Sequence, residues 1–321
     1  MMTAVKNDGP PVFYKRKIFD AEDPMYEGTF AVDFVVPPNT DVDDSLPIRT
    51  TYFSEKEFDG IASLDTRPII LYNARATWDC RQTVKWLRKK FPNRPLFGIG
   101  FSLGANILTN YVAEEGDKCE LKAAVVISNP WNLESGSLAL QRTWLGREIY
   151  SKTMGGNMKR LLALHHDEVS KNPKLDFEKI NNVQYLHEFD REVQGPTWGY
   201  PTEGAYYRDA SSTDSLFSVK IPFFAINAED DPIASKEALP YQEVQKNPYT
   251  VLCTTSLGGH LSWFELGGGR WHSRPAINFL NNMAFNVKLP APAVANGEER
   301  FGRNHVSEFI PMRRKLVYRS E

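Results

Sequence analysis

Short, uninterrupted apolar runs alternate with segments of helical pattern along most of this chain. The runs are PIIL (68–71), PLFGIGFS (95–102), KAAVVISNP (122–130), IPFFAINAEDD (221–231) and YTVLCTTS (249–256). Strands without polar alternation are typical of a parallel sheet that is covered by helices on both faces. The sequence therefore predicts an α/β fold with a mostly parallel sheet.

Local patterns predict the remaining elements. Two further strands are expected at 29–36 and 48–54, separated by a Pro- and Asp-rich turn. Helices are expected at 74–91, 104–116, 235–246 and 275–285. In the first of these helices, the candidate core residues are Ala76, Val84, Trp86 and Leu87.

The domain organisation follows from where this alternation starts and stops. We expect a flexible N-terminus at 1–11, one α/β domain at 12–287 and a loose tail rich in Pro, Ala and Gly at 288–321. Segment 132–216 interrupts the alternation, because it has many aromatic residues and few strand signals. It is predicted to be a helical cap inserted over one end of the sheet.

Composition narrows the class of function. The 38 Lys and Arg residues nearly balance the 40 Asp and Glu residues, so no basic surface for nucleic acid is indicated. A small-molecule or lipid-like substrate is the expected partner. The three cysteines, Cys80, Cys119 and Cys253, are widely separated. They indicate structural thiols in a reducing compartment, with neither a disulfide framework nor a zinc pattern.

No segment has the pattern of a signal peptide or of a membrane span, which needs roughly 20 apolar residues. A cytoplasmic location is therefore expected. Peripheral contact with a membrane or a lipid droplet stays open at this stage.

The sequence Gly100-Phe101-Ser102-Leu103-Gly104 lies between a predicted buried strand and a predicted helix. A Gly-x-Ser-x-Gly match alone is weak, but the strand-turn-helix setting is the one that raises a nucleophilic serine above a sheet edge. The helix start directs backbone N–H groups toward developing negative charge, and the N–H of Leu103 is the expected oxyanion donor. The alternative is a tight turn with an inert serine.

A nucleophilic serine needs a base, and the base needs an orienting carboxylate, in the chain order Ser, Asp or Glu, His. His260 follows a predicted strand through Leu257-Gly258-Gly259 and is the predicted base. His272 and His305 are interpreted as exposed residues. For the acid, Asp231 is preferred because Pro232 fixes the turn behind it, and Asp230 remains the alternative. The pair His165-His166 with Asp167 is interpreted as a solvated helix face rather than a metal cluster.

Several longer motifs carry a family resemblance from about residue 12 to residue 285. They are PLFGIGFSLGANILTNY, AAVVISNPWNL, HEFD, YYRDAS, INAEDDP and GGHLSWFE. They resemble the α/β-hydrolase branch of fungal medium-chain fatty-acid ethyl ester synthase/esterases and animal α/β-hydrolase-domain lipases.

The resemblance implies a serine esterase that also acts as an alcohol O-acyltransferase, without a cofactor or a metal. Ser102 would be the nucleophile, Asp231 the triad acid and His260 the general base. The substrates would be medium-chain acyl esters or acyl-CoA together with a short-chain alcohol. The cap would select the acyl chain. Its tunnel-lining candidates, which could equally form the core of the cap, are Trp144, Leu161, Leu162, Leu164, Trp198, Tyr200, Tyr206 and Tyr207.

The sequence departs from the family pattern before the nucleophile. Related proteins should have an apolar strand, a His-Gly loop that donates the second oxyanion N–H, a helix and another strand between motifs like LDTRP and LYNARATWD. Here LDTRP runs through Ile69 and Ile70 directly into LYNARATWD. Roughly fifty residues are therefore expected to be missing between Pro68 and Leu71, through a gene-model or splice deletion. The sheet is predicted to be truncated before the nucleophile strand.

Overall fold

The computed structural model describes residues 11–22, 28–60, 69–71, 77–267 and 269–288. The strands are β1 (Phe13–Asp20), β2 (Thr29–Val36), β3 (Thr50–Tyr52), β4 (Ile69–Leu71), β5 (Leu96–Phe101), β6 (Leu121–Ile127), β7 (Phe223–Ala228) and β8 (Thr250–Thr255). The α-helices are α1 (Glu55–Gly60), α2 (Thr77–Lys90), α3 (Leu103–Glu115), α4 (Leu133–Arg142), α5 (Lys152–Leu164), α6 (His166–Val169), α7 (Phe177–Asn182), α8 (Leu186–Phe189), α9 (Gly195–Trp198), α10 (Glu203–Ala210), α11 (Tyr241–Lys246) and α12 (Ser273–Phe285).

The described strands form two sheets. The larger sheet has the order β4-β5-β6-β7-β8, and every pairing in it is parallel. This result confirms the predicted parallel sheet. The strands expected at 29–36 and 48–54 exist, but they pair with β1 in a separate three-stranded sheet of order β2-β1-β3. On one side of β5 the described part of the sheet ends with the three-residue strand β4.

The sequence patterns did not predict β1, because Lys15-Arg16-Lys17 breaks its apolar character. The structure buries Lys15 and places its Nζ 2.5 Å from Glu57 Oε1 and 3.3 Å from Asp41 Oδ2. Paired in this way, the ammonium group can lie under the small sheet without an unpartnered buried charge.

Both faces of the large sheet are covered, and β6 shows how. Its Ala124 and Val126 join a core with residues of α2 and α3, whereas Ala123, Val125 and Ile127 join a second core with residues of α12. Val84 and Leu87 of α2 are buried, as predicted. Helix α2 begins at Thr77, and Ala76 lies outside the described residues.

Aromatic side chains join the small sheet to the rest of the fold. Trp86 of α2 is half-buried and stacks on Phe58, with 5.1 Å between ring centroids. Phe19 of β1 and Phe34 of β2 meet the same indole edge-on, at 5.5 and 5.8 Å. Trp86 therefore contacts both the small sheet and α1, rather than the core of the large sheet alone.

Segment 132–216 contains α4 to α10 and lies between β6 and β7. Its two ends meet at Trp131, whose carbonyl oxygen accepts the N–H groups of Ser212 and Thr213 at 2.9 and 3.2 Å. The segment has a small core of its own, formed by Ile180, Val183, Phe189 and Val193. The predicted boundaries of the cap, the main domain and the termini stay predictions, and most of both termini lies outside the described residues.

Two further features concern the length of the helices and the state of the cysteines. Within the described ranges, no helix is long and apolar enough to cross a membrane. The three cysteines are free, and burial raises the pKa of the Cys80 and Cys119 thiols to about 12. These two thiols are therefore protonated and unreactive near neutral pH.

The crossing of β5 and α3 depends on Gly100. A Cβ atom at this position would lie 2.6 Å from Ala105 Cα and 2.8 Å from the carbonyl oxygen of Gly104. Both neighbours are backbone atoms, so neither can rotate away. We expect Gly100→Ala to lower the free energy of unfolding by about 1–3 kcal/mol in urea titrations. The control is Gly156→Ala in α5, where nothing lies within 4 Å and a gain of roughly 0.5–1 kcal/mol is expected. An equal effect of both substitutions would contradict this account of the crossing.

A buried acid makes segment 132–216 sensitive to pH. Asp190 is 7% exposed, and its Oδ2 accepts the Tyr207 hydroxyl at 2.6 Å. Burial is the main cause that raises the pKa of Asp190 to about 6; the Tyr207 hydrogen bond opposes the shift and Glu203 adds to it. The folded protein thus holds a proton that the unfolded chain releases near pH 4. The contribution of Asp190 to the free energy of unfolding therefore decreases as the pH rises from about 4 to about 6, and it does not change further above that pH.

The variant Asp190→Asn should remove this loss, because a neutral amide oxygen still accepts the Tyr207 hydroxyl. The free energy of unfolding of Asp190→Asn minus that of wild type should increase by about 2 kcal/mol from pH 4.5 to pH 7.5. Urea unfolding at the two pH values measures this difference. Asp214→Asn, at an exposed position, is the control. If the difference in free energy of unfolding between wild type and Asp190→Asn is the same at pH 4.5 and pH 7.5, the folded protein does not hold a proton on Asp190 in this range, and the prediction is wrong.

Candidate active site

Ser102 lies in the turn between β5 and α3, at the carboxyl edge of the large sheet. Its φ is 51°, which is a strained value for a residue other than glycine. The turn is held by the Ser102 N–H, which donates to the Ile127 carbonyl oxygen at 3.0 Å, and by the Ser102 carbonyl, which accepts from Ala105 N–H at 2.9 Å. In this conformation Ser102 Oγ lies 2.7 Å from His260 Nε2.

His260 connects Ser102 to Asp231. Its Nε2 lies 2.7 Å from Ser102 Oγ, and its Nδ1 lies 2.9 and 3.0 Å from the two carboxylate oxygens of Asp231. An ionised carboxylate can only accept hydrogen bonds, so the ring proton belongs on Nδ1. Nε2 is then free to accept the Ser102 hydroxyl proton. The imidazole is only 9% exposed, which limits competition from water.

The two candidate acids have different environments. Asp231 has a fully buried side chain, and its Oδ1 also accepts the N–H groups of Ile233 and Ala234 at 2.8 and 2.9 Å. These backbone donors hold the carboxylate in its orientation toward His260. Asp230 is exposed, and its Oδ1 accepts the Gly259 N–H at 2.8 Å. The structure therefore brings Asp231 to the imidazole and Asp230 to the backbone of the His260 loop.

The loop before His260 packs on Trp263. A Cβ atom at Gly258 would overlap the Trp263 indole ring. The ring is 6% exposed, belongs to the core on the α12 face of the sheet, and donates its Nε1–H to Thr255 Oγ1 at 2.8 Å. The close approach of the Gly258 backbone to this ring therefore places the loop directly against the core.

Leu103 is the first residue of α3. The first N–H groups of a helix have no acceptor inside the helix, so the Leu103 N–H is available to a ligand beside Ser102. Its side chain is half exposed. The sequence before Ser102 contains no histidine, so the His-Gly source of a second N–H is absent from it.

Among the described histidines, His260 is the one within hydrogen-bond distance of Ser102 Oγ. His272 was expected to be exposed, and this was wrong. It is 6% exposed and lies edge-on to Trp263 and Phe101, at 5.5 and 6.1 Å between ring centroids. Burial, with a smaller effect of Arg270, lowers the pKa of His272. The sequence pattern did not predict this burial, because the contacts of His272 with Phe101 and Trp263 form only when the chain folds.

His165, His166 and Asp167 are exposed at the end of α5 and the start of α6. Within the described ranges, no group of three or more His, Cys, Asp or Glu side chains could hold a metal ion. His305 lies outside the described residues.

The candidate tunnel residues separate into different environments. Trp144, Leu161 and Leu164 are 68, 40 and 76% exposed, so these three side chains lie at the surface rather than in the core of segment 132–216. Leu162 packs on the core of segment 132–216, in agreement with the other interpretation. Tyr207 is buried on Asp190, and Trp198 meets Trp78 of α2 at 5.5 Å.

Comparison with known proteins identifies the family. The family model described as alpha/beta hydrolase fold matches residues 28–265, which is most of the chain. The chain belongs to the α/β-hydrolase family. This confirms the resemblance in the sequence motifs and accounts for the parallel sheet with a strand-turn-helix serine at its edge.

Several curated relatives of this α/β-hydrolase match about two thirds of the chain. A monoacylglycerol lipase of Saccharomyces cerevisiae is 38% identical over 217 residues, which are 66% of this chain and 48% of the relative. A medium-chain fatty acid ethyl ester synthase/esterase of the same yeast is 30% identical over 228 residues, 65% and 50% of the two chains. The mouse phospholipase ABHD3 is 29% identical over 225 residues, 69% and 53% of the two chains. The chain thus spans about half the length of these relatives.

An esterase from Pyrococcus furiosus with a known structure is 18% identical to this α/β-hydrolase, with a TM-score of 0.38 over 65% of this chain and 62% of the esterase. The family assignment rests on the sequence match and not on this comparison.

The contact between Gly258 and Trp263 yields a test of the loop. We expect Gly258→Ala to displace the indole ring and to lower the free energy of unfolding by about 1–3 kcal/mol. Thermal unfolding measures the loss, and a shift of tryptophan fluorescence emission reports the ring. Gly269→Ala is the control, because a Cβ atom there would meet only the flexible Glu265 side chain. Unchanged fluorescence and stability in Gly258→Ala would show that the loop has room at this position.

Proposed function

We propose that this α/β-hydrolase is a serine ester hydrolase with a Ser102-His260-Asp231 triad. The observation that carries the proposal is the unbroken path of hydrogen-bond distances from Ser102 Oγ through the imidazole to Asp231. A serine hydroxyl is a weak nucleophile unless a base accepts its proton and a third group orients that base. Relatives named as lipases and esterases support the same reaction class.

The first half of the reaction forms an acyl-enzyme. Ser102 Oγ attacks the carbonyl carbon of the ester as His260 Nε2 takes the hydroxyl proton. Asp231 stabilises the resulting imidazolium through Nδ1. The tetrahedral intermediate then collapses, the bond to the leaving oxygen breaks, and His260 returns the proton to the departing alcohol. The acyl group stays on Ser102 as an ester.

The second half removes the acyl group. A water molecule loses a proton to His260 Nε2 and attacks the acyl carbon, which releases a carboxylic acid and restores the Ser102 hydroxyl. A short-chain alcohol in place of water gives a new ester by the same steps. One triad therefore supports both hydrolysis and acyl transfer, and the acceptor that reaches the acyl-enzyme decides between them.

The substrate class is proposed from two kinds of support. A yeast relative carries the name medium-chain fatty acid ethyl ester synthase/esterase, and apolar side chains are plentiful in the segment proposed as a cap. We therefore propose medium-chain acyl esters or acyl-CoA thioesters as donors and short-chain alcohols as acceptors, with peripheral contact to a membrane or lipid droplet and a cytoplasmic location. Segment 132–216 is the proposed selector of acyl chains.

A second candidate is a catalytically impaired member of the family. The specific observation in its favour is that no His-Gly pair precedes Ser102. In the part of the chain that the structure describes, the oxyanion donor identified beside Ser102 is the Leu103 N–H at the start of α3. Loss of one of two donors lowers kcat on the order of 10²–10³-fold. The triad would still activate Ser102 under this alternative, but turnover would be slow.

Hydrolysis of p-nitrophenyl octanoate tests the proposal. Wild type should release p-nitrophenol, and Ser102→Ala should lower kcat/KM on the order of 10⁴-fold or more, because the covalent route is lost. Ser170→Ala, an exposed serine in segment 132–216, is the matched control and should leave the rate unchanged. A fluorophosphonate probe should label wild type and the control but not Ser102→Ala.

The same two assays separate the candidates. Labelling with turnover supports the active hydrolase, and labelling with little turnover supports the impaired one. If a folded sample shows no labelling and no turnover, the triad assignment is rejected. The genomic DNA between the codons for Pro68 and Leu71 gives an independent test. An in-frame stretch that encodes a strand and a His-Gly loop would identify the missing segment as a gene-model deletion.

A further inference from the structure

The loop that carries His260 has an unusual backbone. Gly259 and Leu261, the two neighbours of His260, both have positive φ, at 51° and 61°. A residue other than glycine in this region costs on the order of 1–3 kcal/mol and persists only where the surroundings hold it. Leu261 therefore needs interactions that keep it there, and these interactions also fix the direction of the imidazole.

Two side chains outside the triad hold the backbone on either side of His260. Ser128 Oγ accepts the Leu261 N–H at 3.2 Å, and Asp230 Oδ1 accepts the Gly259 N–H at 2.8 Å. The Leu261 carbonyl oxygen in turn accepts from the Arg270 guanidinium. Both amide groups that flank the base are thus bound by side chains from other parts of the chain.

Ser128 is itself rigidly placed. It follows β6 directly, is fully buried, and has a φ of 52°. Its N–H donates to the Ile226 carbonyl oxygen of β7 at 2.8 Å. Because β6 lies between β5 and β7, which precede Ser102 and Asp231 respectively, the Ser128 hydroxyl has a fixed position relative to both ends of the triad.

We infer that Ser128 and Asp230 are positioning residues that hold the His260 loop in the geometry required for proton transfer. The inference rests on the proposed function and adds two residues to it. We expect Ser128 to be the stronger anchor, because its side chain is fully buried and its hydrogen bond is part-buried, whereas the Asp230 bond is exposed. Neither residue touches the reacting atoms, so each acts through the loop.

Four variants separate positioning from stability. Ser128→Gly removes the hydroxyl but accepts positive φ without strain, whereas Ser128→Ala removes it and keeps the strain. Asp230→Ala removes the acceptor, and Asp230→Asn keeps an amide oxygen that can accept the Gly259 N–H. Ser215→Ala is the control for loss of a buried hydroxyl, since Ser215 Oγ bonds to Asn110 and lies outside the site.

Steady-state hydrolysis of p-nitrophenyl octanoate should show the effect in kcat. Ser128→Gly should lower kcat about 10- to 100-fold, the range for a small displacement of a reacting group, with KM within about twofold and little change in Tm. Asp230→Ala should lower kcat less, by about 3- to 10-fold, and Asp230→Asn should recover most of it. Ser215→Ala should lower Tm without lowering kcat.

A measurement that does not depend on turnover keeps the inference separate from the proposed function. In wild type, the proton on His260 Nδ1 that bonds to Asp231 should give a far-downfield ¹H NMR signal, assigned by its absence in His260→Gln. The signal should broaden through exchange with water in Ser128→Gly and Asp230→Ala and persist in Asp230→Asn.

If Ser128→Gly leaves both kcat and the NMR signal unchanged, the inference is wrong. It is also wrong if kcat decreases only in those variants whose Tm decreases to the same degree. If wild type neither turns over nor is labelled, the proposed function fails, and the NMR signals of the variants still decide whether Ser128 and Asp230 hold the loop.

Discussion

Parallel pairing of β5, β6, β7 and β8 brings the carboxyl ends of four strands to one edge of the sheet. Ser102 follows β5, Ser128 follows β6, Asp231 follows β7 after a short turn, and His260 follows β8 after a glycine-containing loop. Residues 158 positions apart in sequence are thereby joined by a 2.7 Å contact. The triad geometry depends on this strand register, because a shift of one strand against the next would separate Ser102 from His260.

Backbone strain is concentrated at the same edge. Ser102, Ser128 and Leu261 are residues other than glycine with positive φ, and each has a backbone or side-chain hydrogen bond that reaches another strand or loop. Two apolar cores, one on each face of the sheet, provide the stability that offsets such strain. Strain of this kind fixes a side chain in one direction, which is what a reacting group requires.

Sequence patterns predicted the parallel sheet, most of its helices and the chain order of the site, because apolar runs and glycine-flanked turns report local structure directly. They did not predict β1, since the pairing of Lys15 with Glu57 and Asp41 joins residues far apart in sequence. The burial of His272 and the anchoring role inferred for Ser128 were missed for the same reason. Ser128 lies near the end of the run KAAVVISNP, which was predicted as a strand, and nothing local indicates which loop its hydroxyl would meet.

The closure of segment 132–216 at Trp131 has a consequence for how such proteins diversify. The segment begins directly after Trp131, and near its other end Ser212 and Thr213 donate to the Trp131 carbonyl oxygen, so the span that an inserted chain must bridge is short. The entropy of closing a loop grows only with the logarithm of its length. Helices can therefore be added, removed or exchanged within this segment at small cost in closure entropy, while the strand ends that carry Ser102, Asp231 and His260 stay where they are. Evolution can vary one part of the molecule without rebuilding the other.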